Sequence, residues 1–323
     1  MRLSTSVRGL STQFRPYAWA PSTAEIARLA GIRPEEVLRF DGNTSPQPPP
    51  TARADTIAEP LAHIHAYRHG GHPELLRGIA DYAGVEPENV VLGAGADDLI
   101  MLCARAYAGP GDVVAIADEP NYPVYRVSAW VAGAEVGDDD PVLTFCCRPH
   151  NPTGALVDLP DARPLVVDEA YFEYAGETAV GLLEDDVIVI RTFSKAFGLA
   201  SARVGYALAA RDTAAELNER QAPAPISTLS AALAVAGLAD PPDVTPIVEE
   251  RERLAGELRA LGLDPLPSAA NFLYVPFDGA EEAGERLLRR GIAVRAFEGA
   301  LRITVRTQAD DDRLVRELTT ALD

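Results

Sequence analysis

The central part of the sequence alternates short, wholly apolar runs with amphipathic segments. The pattern predicts helices at residues 73–83, 96–107 and 123–131, and strands at 89–92, 112–117, 142–147, 164–167, 187–192 and 203–209. These runs are continuous and mostly apolar, without alternation of apolar and polar residues, which is typical of parallel strands that are buried on both faces. The sequence therefore predicts an α/β fold whose mostly parallel central sheet is sandwiched by helices.

The pattern changes around residues 221–227, where two prolines interrupt the chain. Beyond this break, helices are predicted at 227–238, 244–261 and 280–290 and near the C-terminus, with short strands at 271–275, 293–295 and 301–305. Mixed helices and strands at this spacing predict a smaller α+β domain. We expect an N-terminal arm and short helix at 1–40, a large domain at 41–221 and a small domain at 222–323. The Ser22–Glu25 segment has the form of a capping box for the short helix.

Charge and composition exclude several classes of function. The formal net charge is −19 and no basic run is present, which argues against binding to nucleic acid or to an anionic membrane surface. No segment is long and apolar enough to span a membrane, and the N-terminus lacks the apolar core of a signal peptide. The three cysteines (Cys103, Cys146 and Cys147) form no CxxC motif and are interpreted as reduced thiols. We therefore predict a cytoplasmic protein.

Four of the five histidines, His63, His65, His69 and His72, lie close together in the sequence. No acidic or thiol residue completes a metal-ligand set in this segment, so we predict no metal site there. A solvated helix end followed by a loop accounts for the cluster.

Lys195 is the only lysine among 29 lysine and arginine residues. Arginine replaces lysine wherever only charge and a long side chain are needed, but its guanidinium stays protonated and cannot attack a carbonyl. A chain that uses arginine everywhere else therefore indicates a need for an amine at this position. Chance survival of one lysine is the alternative, and the neighbouring motifs decide between the two interpretations.

Four polar motifs follow predicted strands, at the sheet edge where open α/β folds bind ligands. They are Gly93–Asp97, Asn151–Gly154, the acid Asp168 within Leu165–Tyr171, and Ser194-Lys195 with Arg203 eight residues later. The first motif suits an anion at a helix N-terminus, although a tight turn would also explain it. It is not a dinucleotide fingerprint, because Asp98 occupies the position of the third glycine.

With these motifs in this order, nearly the whole chain resembles the fold-type I enzymes that depend on pyridoxal 5'-phosphate (PLP), and within them the histidinol-phosphate aminotransferases. The resemblance implies that Lys195 binds PLP covalently and moves the substrate Cα proton, that Asp168 pairs with the pyridine nitrogen, and that Tyr122 stacks on the ring. Further cofactor contacts would come from Gly95, Ala96, Asp97, Asn151, Tyr171, Thr192, Ser194 and Arg203, and from Tyr67 of the partner subunit in a homodimer.

The same resemblance implies a substrate site. Arg302 would bind the substrate carboxylate, and Asn43 and Asn271 would lie near the substrate. Arg295 matches an arginine that faces the substrate phosphate in histidinol-phosphate enzymes, but a surface position is an equally good interpretation of a lone arginine.

The chain departs from the family mainly where substrate side chains would be recognised. The stretches 137–151 and 154–168 are short, and His150, Thr44, Ser45, Ala224 and Arg306 replace usual family residues. The leading prediction is an aminotransferase that uses an L-amino acid or amino phosphate and a keto acid. Decarboxylation, as in threonine-phosphate decarboxylases, or oxidation remain alternatives on the same cofactor. A PLP-binding regulator without catalysis is a third, although no DNA-binding extension is apparent.

Overall fold

The computed structural model describes residues 13–322. The strands are β1 (Leu38–Arg39), β2 (Val90–Gly93), β3 (Val113–Ile116), β4 (Glu135–Val136), β5 (Leu143–Cys147), β6 (Leu165–Asp168), β7 (Val187–Thr192), β8 (Gly205–Leu208), β9 (Phe272–Pro276), β10 (Ile292–Ala293), β11 (Arg295–Phe297) and β12 (Ala300–Thr304). The α-helices are α1 (Thr23–Ala30), α2 (Ala58–Ala62), α3 (Pro73–Ala83), α4 (Ala96–Tyr107), α5 (Pro123–Ala132), α6 (Phe172–Ala175), α7 (Arg211–Arg220), α8 (Thr228–Ala239), α9 (Thr245–Ala260), α10 (Ala280–Leu288) and α11 (Gln308–Leu322).

The central sheet has seven strands in the order β2-β8-β7-β6-β5-β3-β4. All neighbouring pairs are parallel except those that involve β8, which is antiparallel to both β2 and β7. The apolar run of β8 was interpreted as one more buried strand, and its direction follows from the connection. The segment between β7 and β8 contains no crossover helix, so the chain returns antiparallel to β7. Because β2 and β7 are both antiparallel to β8, β2 runs in the same direction as β5, β6 and β7.

Helices cover both faces of this sheet. Helices α4, α5 and α7 pack on one face around a core that includes Leu99, Tyr125 and Phe145. Helices α3 and α8 pack on the other face around residues such as Ile79 and Phe193. All residues of β5, β6 and β7 are buried, as expected for strands between two helical layers. The predicted α/β sandwich is confirmed.

A second, antiparallel sheet has the order β11-β12-β9 and packs against α9, α10 and α11. The predicted strand at 293–295 is divided in two: β10 pairs with β1, and β11 pairs with β12. The capping box forms at the start of α1, where Ser22 accepts from the Glu25 backbone N–H. Phe40 is buried among residues of α9 and α11, so the segment around residue 40 packs with the C-terminal elements.

The first twelve residues of the predicted arm lie outside the described residues, and the domain boundaries at 40 and 221 stay predictions. Within residues 13–322, no helix is both long and apolar enough to cross a membrane. The same part of the chain, which includes the histidine-rich segment, contains no cluster of three or more His, Cys, Asp or Glu residues that could hold a metal ion.

Candidate active site

Lys195 lies just beyond the carboxyl end of β7, in a tight turn. The turn is fixed by Thr192, whose hydroxyl donates to Ser194 Oγ at 2.9 Å and accepts from the Ser194 backbone N–H at 3.1 Å. Lys195 Nζ donates to the Gly42 carbonyl at 3.2 Å and lies 5.7 Å from the centre of the Tyr171 ring. Burial, reinforced by the positive charge of Arg302, lowers the pKa of Lys195 to about 8. A neutral, nucleophilic amine is therefore accessible near physiological pH.

Asp168 ends the neighbouring strand β6 and is almost fully buried, with 4% of its surface exposed. Its Oδ2 accepts from the Tyr125 hydroxyl at 2.6 Å, and its Oδ1 accepts from the Ala170 backbone N–H at 3.0 Å. Burial raises the pKa of Asp168 to about 6, while these two donors oppose that rise. A carboxylate in this environment favours a cationic or proton-bearing partner.

A strand–helix turn between β2 and α4 forms an anion cradle. Gly95 precedes the first residue of α4 and has φ 88°, in a region that suits glycine. No side chain among the described residues caps this helix, so its first N–H groups, including those of Ala96 and Asp97, are available to an anion. Arg203 reaches the same turn and donates to Asp97 Oδ2 at 3.3 Å. Its guanidinium adds positive charge at the helix start.

The carboxylate of Asp97 is already engaged on both oxygens. Oδ2 accepts from Arg203, and Oδ1 accepts from the Tyr122 hydroxyl at 3.0 Å. Only the backbone N–H of Asp97, and not its side chain, is therefore suited to an incoming anion. The Tyr122 ring is held at the start of α5 and packs edge-on against Tyr125 at 5.8 Å.

Replacing Gly95 with alanine should weaken cofactor binding by about 10-fold or more. A Cβ at this position would lie 2.7 Å from Arg203 Nη2, and the positive φ strains any L-residue. The dissociation constant, measured by absorbance or fluorescence titration, checks this prediction. Gly256 in α9 is the matched control, because its added Cβ would meet no atom within 4 Å. Equal affinity of both variants would contradict the assignment of the turn.

A buried network of amide, phenol and guanidinium groups lies beside Lys195. Arg302 on β12 donates to Asn151 Oδ1 at 2.6 Å and to the Asp41 carbonyl at 2.7 Å. The Tyr171 hydroxyl accepts from Asn43 Nδ2 at 2.9 Å and from Asn151 Nδ2 at 3.4 Å. The network joins the end of β5 and the start of α6 to β12.

Two unpaired atoms of this network remain for a ligand. Arg302 Nε and Asn271 Oδ1 are buried and have no hydrogen-bond partner in the part of the chain that the structure describes. Burial, together with the charge of Arg295, lowers the pKa of Arg302. A guanidinium nevertheless keeps its proton in proteins. A buried cation with a free N–H is suited to a carboxylate.

Most of the residues that were predicted to form the site lie close together in the structure, but Tyr67 does not lie with them. Tyr67 has 83% of its surface exposed and takes no part in these networks. Asn271 joins the site through a hydrogen bond from its Nδ2 to the Asn43 carbonyl at 3.2 Å. Arg295 lies beside Arg302 in the register of β11 and β12, on the edge of an adjoining cavity of about 210 Å³.

That cavity contains groups that the sequence did not single out. Its lining includes Arg15 and Tyr17 from the N-terminal segment, and Arg126 and Trp130 from α5. Arg126 pairs with Glu119. Arg126 and Trp130 are four residues apart on a predicted helix, and this spacing places them on the same face. The spacing does not indicate which part of the chain packs against that face.

The arrangement fits PLP group by group. A partly buried amine lies beside a buried carboxylate, as a covalently held aldehyde with a basic ring nitrogen requires. The uncapped start of α4 with Arg203 suits a phosphate, and Asn151 and Tyr171 carry donors suited to a phenolic oxygen. Fold and site together define an enzyme of the PLP-dependent class.

Comparison with known proteins agrees with this definition. The sequence model of the family "Aminotransferase class I and II" matches residues 37–138 and 138–318. The two matched stretches meet at Asp138, at the start of the short segment 137–151. The chain belongs to this family.

Individual relatives carry more specific names. The chain is 34% identical to the histidinol-phosphate aminotransferase of Caldanaerobacter subterraneus subsp. tengcongensis over an alignment of 322 positions. This alignment covers 87% of this chain and 92% of that protein. Among solved structures, the histidinol-phosphate aminotransferase of Sinorhizobium meliloti in complex with pyridoxal 5'-phosphate has a TM-score of 0.84 and 26% identity, covering 99% of this chain and 100% of the other. The L-threonine-O-3-phosphate decarboxylase of Porphyromonas gingivalis shares the fold with a TM-score of 0.76 and 19% identity, covering 88% and 99%.

Proposed function

We propose that the protein is a PLP-dependent aminotransferase that moves an amino group between an amine substrate with a distal anionic group and a keto acid. The observation that carries the proposal is the juxtaposition of the amine of Lys195, the buried carboxylate of Asp168 and the unpaired Nε of Arg302 at one sheet edge. The bound cofactor would supply the electron sink for chemistry at the substrate Cα.

Binding of the cofactor and transfer of the Cα proton are assigned to particular side chains. Lys195 holds the cofactor and, once released, takes and returns the Cα proton, for which a lowered pKa is an advantage. Asp168 would keep the ring nitrogen of the cofactor protonated, and Asn151 and Tyr171 would donate to its phenolic oxygen. The N–H groups of Ala96 and Asp97, together with Thr192, Ser194 and Arg203, would hold its phosphate. Tyr122 would pack against the ring.

The charge of the adjoining cavity supports an anionic substrate tail. Arg15, Arg126 and Arg295 line it, and within residues 13–322 only Arg126 of these three has an ion-pair partner, Glu119. Since Arg302 beside it is suited to one carboxylate, an excess of guanidinium groups here favours a second anionic group on the substrate. Histidinol phosphate, for which the relatives are named, has a phosphate and no carboxylate, so its single anionic group would be bound either by Arg302 or by the arginines of this cavity.

A half-reaction screen tests the proposed function. Purified enzyme with PLP is mixed with matched amines that differ only in their distal group: histidinol phosphate and histidinol, glutamate and glutamine, phosphoserine and serine, with aromatic amino acids and arginine as further donors. The expected result is conversion of bound PLP to pyridoxamine 5'-phosphate, with the anionic member of each pair preferred. Release of CO2 or consumption of O2 without pyridoxamine 5'-phosphate would instead identify a decarboxylase or an oxidase. If no amine causes any of these changes, catalysis on PLP is refuted.

Replacing Arg302 with lysine should lower kcat/KM by about 10- to 100-fold, mainly through a higher KM for the amine. Lysine keeps the charge but cannot bind a carboxylate in bidentate fashion, and it leaves Asn151 Oδ1 without its donor. Steady-state kinetics measures the effect. Arg253→Lys on α9, where the arginine pairs with Glu250, is the matched control and should retain wild-type kinetics. A wild-type KM for Arg302→Lys would contradict the carboxylate role.

We further propose a homodimer in the cytoplasm in which Tyr67 reaches the cofactor phosphate of the partner subunit. Tyr67 is accompanied by exposed Leu61 and Ile64 in the same segment, and exposed apolar side chains grouped in this way are typical of interaction surfaces. Sedimentation should give a dimer, and Tyr67→Phe should bind PLP less tightly than the wild type. A monomer with full activity would rule out the shared site.

A further inference from the structure

The Tyr125 hydroxyl is the only side-chain donor to Asp168 among residues 13–322. Its Oη lies 2.6 Å from Asp168 Oδ2, although the two residues are 43 positions apart in the sequence. The Tyr125 ring is completely buried, stacks on Phe145 at a centroid distance of 5.3 Å, and packs edge-on against Tyr122. Aromatic contacts on two sides therefore fix the direction in which the hydroxyl points.

We propose that Tyr125 is a positioning residue for the reaction: its hydroxyl fixes the orientation of Asp168 and keeps this carboxylate ionised opposite the pyridine nitrogen of the cofactor. The inference rests on the proposed PLP-dependent function and adds to it a group that does not touch cofactor or substrate. Tyr125 would act only through Asp168.

A buried carboxylate and the basic ring nitrogen opposite it compete for one proton. The proton resides on the more basic of the two groups, and burial alone makes a carboxylate more basic. Asp168 has one donor on each oxygen, the Tyr125 hydroxyl on Oδ2 and the Ala170 N–H on Oδ1. Both donors stabilise the ionised carboxylate and so favour placing the proton on the ring nitrogen, where it makes the ring a better electron sink.

Tyr125 can serve as a donor across the working pH range. Burial and the negative charge of Asp168 raise the pKa of Tyr125 well above its usual value, so its hydroxyl stays protonated. The pKa of neighbouring Cys147 is also raised well above its usual value by burial and by Asp168. The Cys147 thiol therefore adds no negative charge beside the Tyr125–Asp168 pair. Tyr122 and Tyr125 stand at the start of α5, so one helix end supports both the ring face and the acid.

The test compares Tyr125→Phe with Tyr206→Phe in the holoenzyme. Tyr206 is equally buried but belongs to the core on the opposite face of the sheet. For Tyr125→Phe we expect kcat to fall by about 10- to 100-fold, with KM for the amine within about threefold of the wild type. Because Asp168 becomes more basic, the acidic limb of the kcat profile should move to higher pH, by about one unit. Tyr206→Phe should change neither kcat nor the profile.

A second variant keeps the test decisive if Tyr125→Phe folds poorly. In this variant, 3,5-difluorotyrosine is incorporated at position 125. Its side chain has nearly the same shape as tyrosine, but its phenol is a stronger hydrogen-bond donor. The acidic limb of the kcat profile should therefore move to lower pH. An unmoved acidic limb in the difluorotyrosine protein, or in a folded Tyr125→Phe, would overturn the inference. These results are separable from failure of the proposed function, in which the wild-type enzyme itself would not convert bound PLP with any amine.

Discussion

Replacing Lys195 with arginine should reduce transamination by about 1,000-fold or more. Arginine preserves the positive charge and the long side chain, but its guanidinium does not lose a proton and cannot hold the cofactor covalently. No other lysine exists in the chain to take over this role. The loss combines the missing covalent link with the missing proton transfer at Cα, which alone is worth about 100- to 10,000-fold. The single-turnover rate of pyridoxamine 5'-phosphate formation measures the effect.

Chemical rescue distinguishes a catalytic loss from a structural one. In Lys195→Ala, added small primary amines should restore part of the proton transfer, with rates that increase with amine concentration. The wild-type enzyme should not respond to the same amines. An arginine variant that retained more than about a tenth of the activity would contradict the assigned role.

Asp168→Asn should lower kcat by about 100- to 1,000-fold while leaving PLP attached to Lys195. The amide carries no charge, so the ring nitrogen loses the partner that keeps it protonated. Asp311→Asn is the matched control: Asp311 is another buried carboxyl whose pKa burial raises, but it lies on α11 near Arg306 and outside the site. Comparable loss in both variants would indicate general destabilisation instead of a specific role for Asp168.

The same substitution should stabilise the protein when PLP is absent. The pKa of Asp168 is raised from 3.8 to about 6, so between these values the folded state binds more protons than the unfolded state. Stability from this group is therefore present below pH 3.8 and is lost as the pH rises through 6, at a cost of about 3 kcal/mol. Urea unfolding of the PLP-free proteins should show Asp168→Asn to be the more stable at pH 8, and this advantage should disappear at pH 3.5. An equal difference at both pH values would contradict the buried-charge explanation.

Much of the site could be predicted because parallel strands deliver their ends to one edge of a sheet. Asp168 ends β6 and Lys195 lies shortly after β7, and these two strands are neighbours in the sheet. The single lysine marked the position where arginine could not serve. The glycines of Gly93–Asp97 indicate an anion cradle only in combination with the other three motifs, because a tight turn alone would also explain them.

Contacts that depend on how distant elements pack could not be predicted. The Tyr125–Asp168 bond depends on the rotation of α5, and sequence periodicity does not determine which core residue a tyrosine hydroxyl meets. The Thr304 hydroxyl on β12 donates to the Phe40 carbonyl and accepts from the Asn43 backbone N–H. These partners are more than 260 residues away in the sequence, and no local pattern indicates the two hydrogen bonds. The antiparallel direction of β8 could not be predicted for a related reason, since apolar runs alone do not encode strand direction.

The central claim is that Lys195 holds PLP covalently. Borohydride reduction of the holoenzyme, followed by digestion and mass spectrometry, tests it directly, because the peptide that contains Arg191–Gly198 carries the only lysine side chain. We expect a pyridoxyl group on Lys195, and none on this peptide in Lys195→Arg. A wild-type protein that binds PLP and converts it with amines, but whose Lys195 stays unlabelled after reduction, would contradict the account.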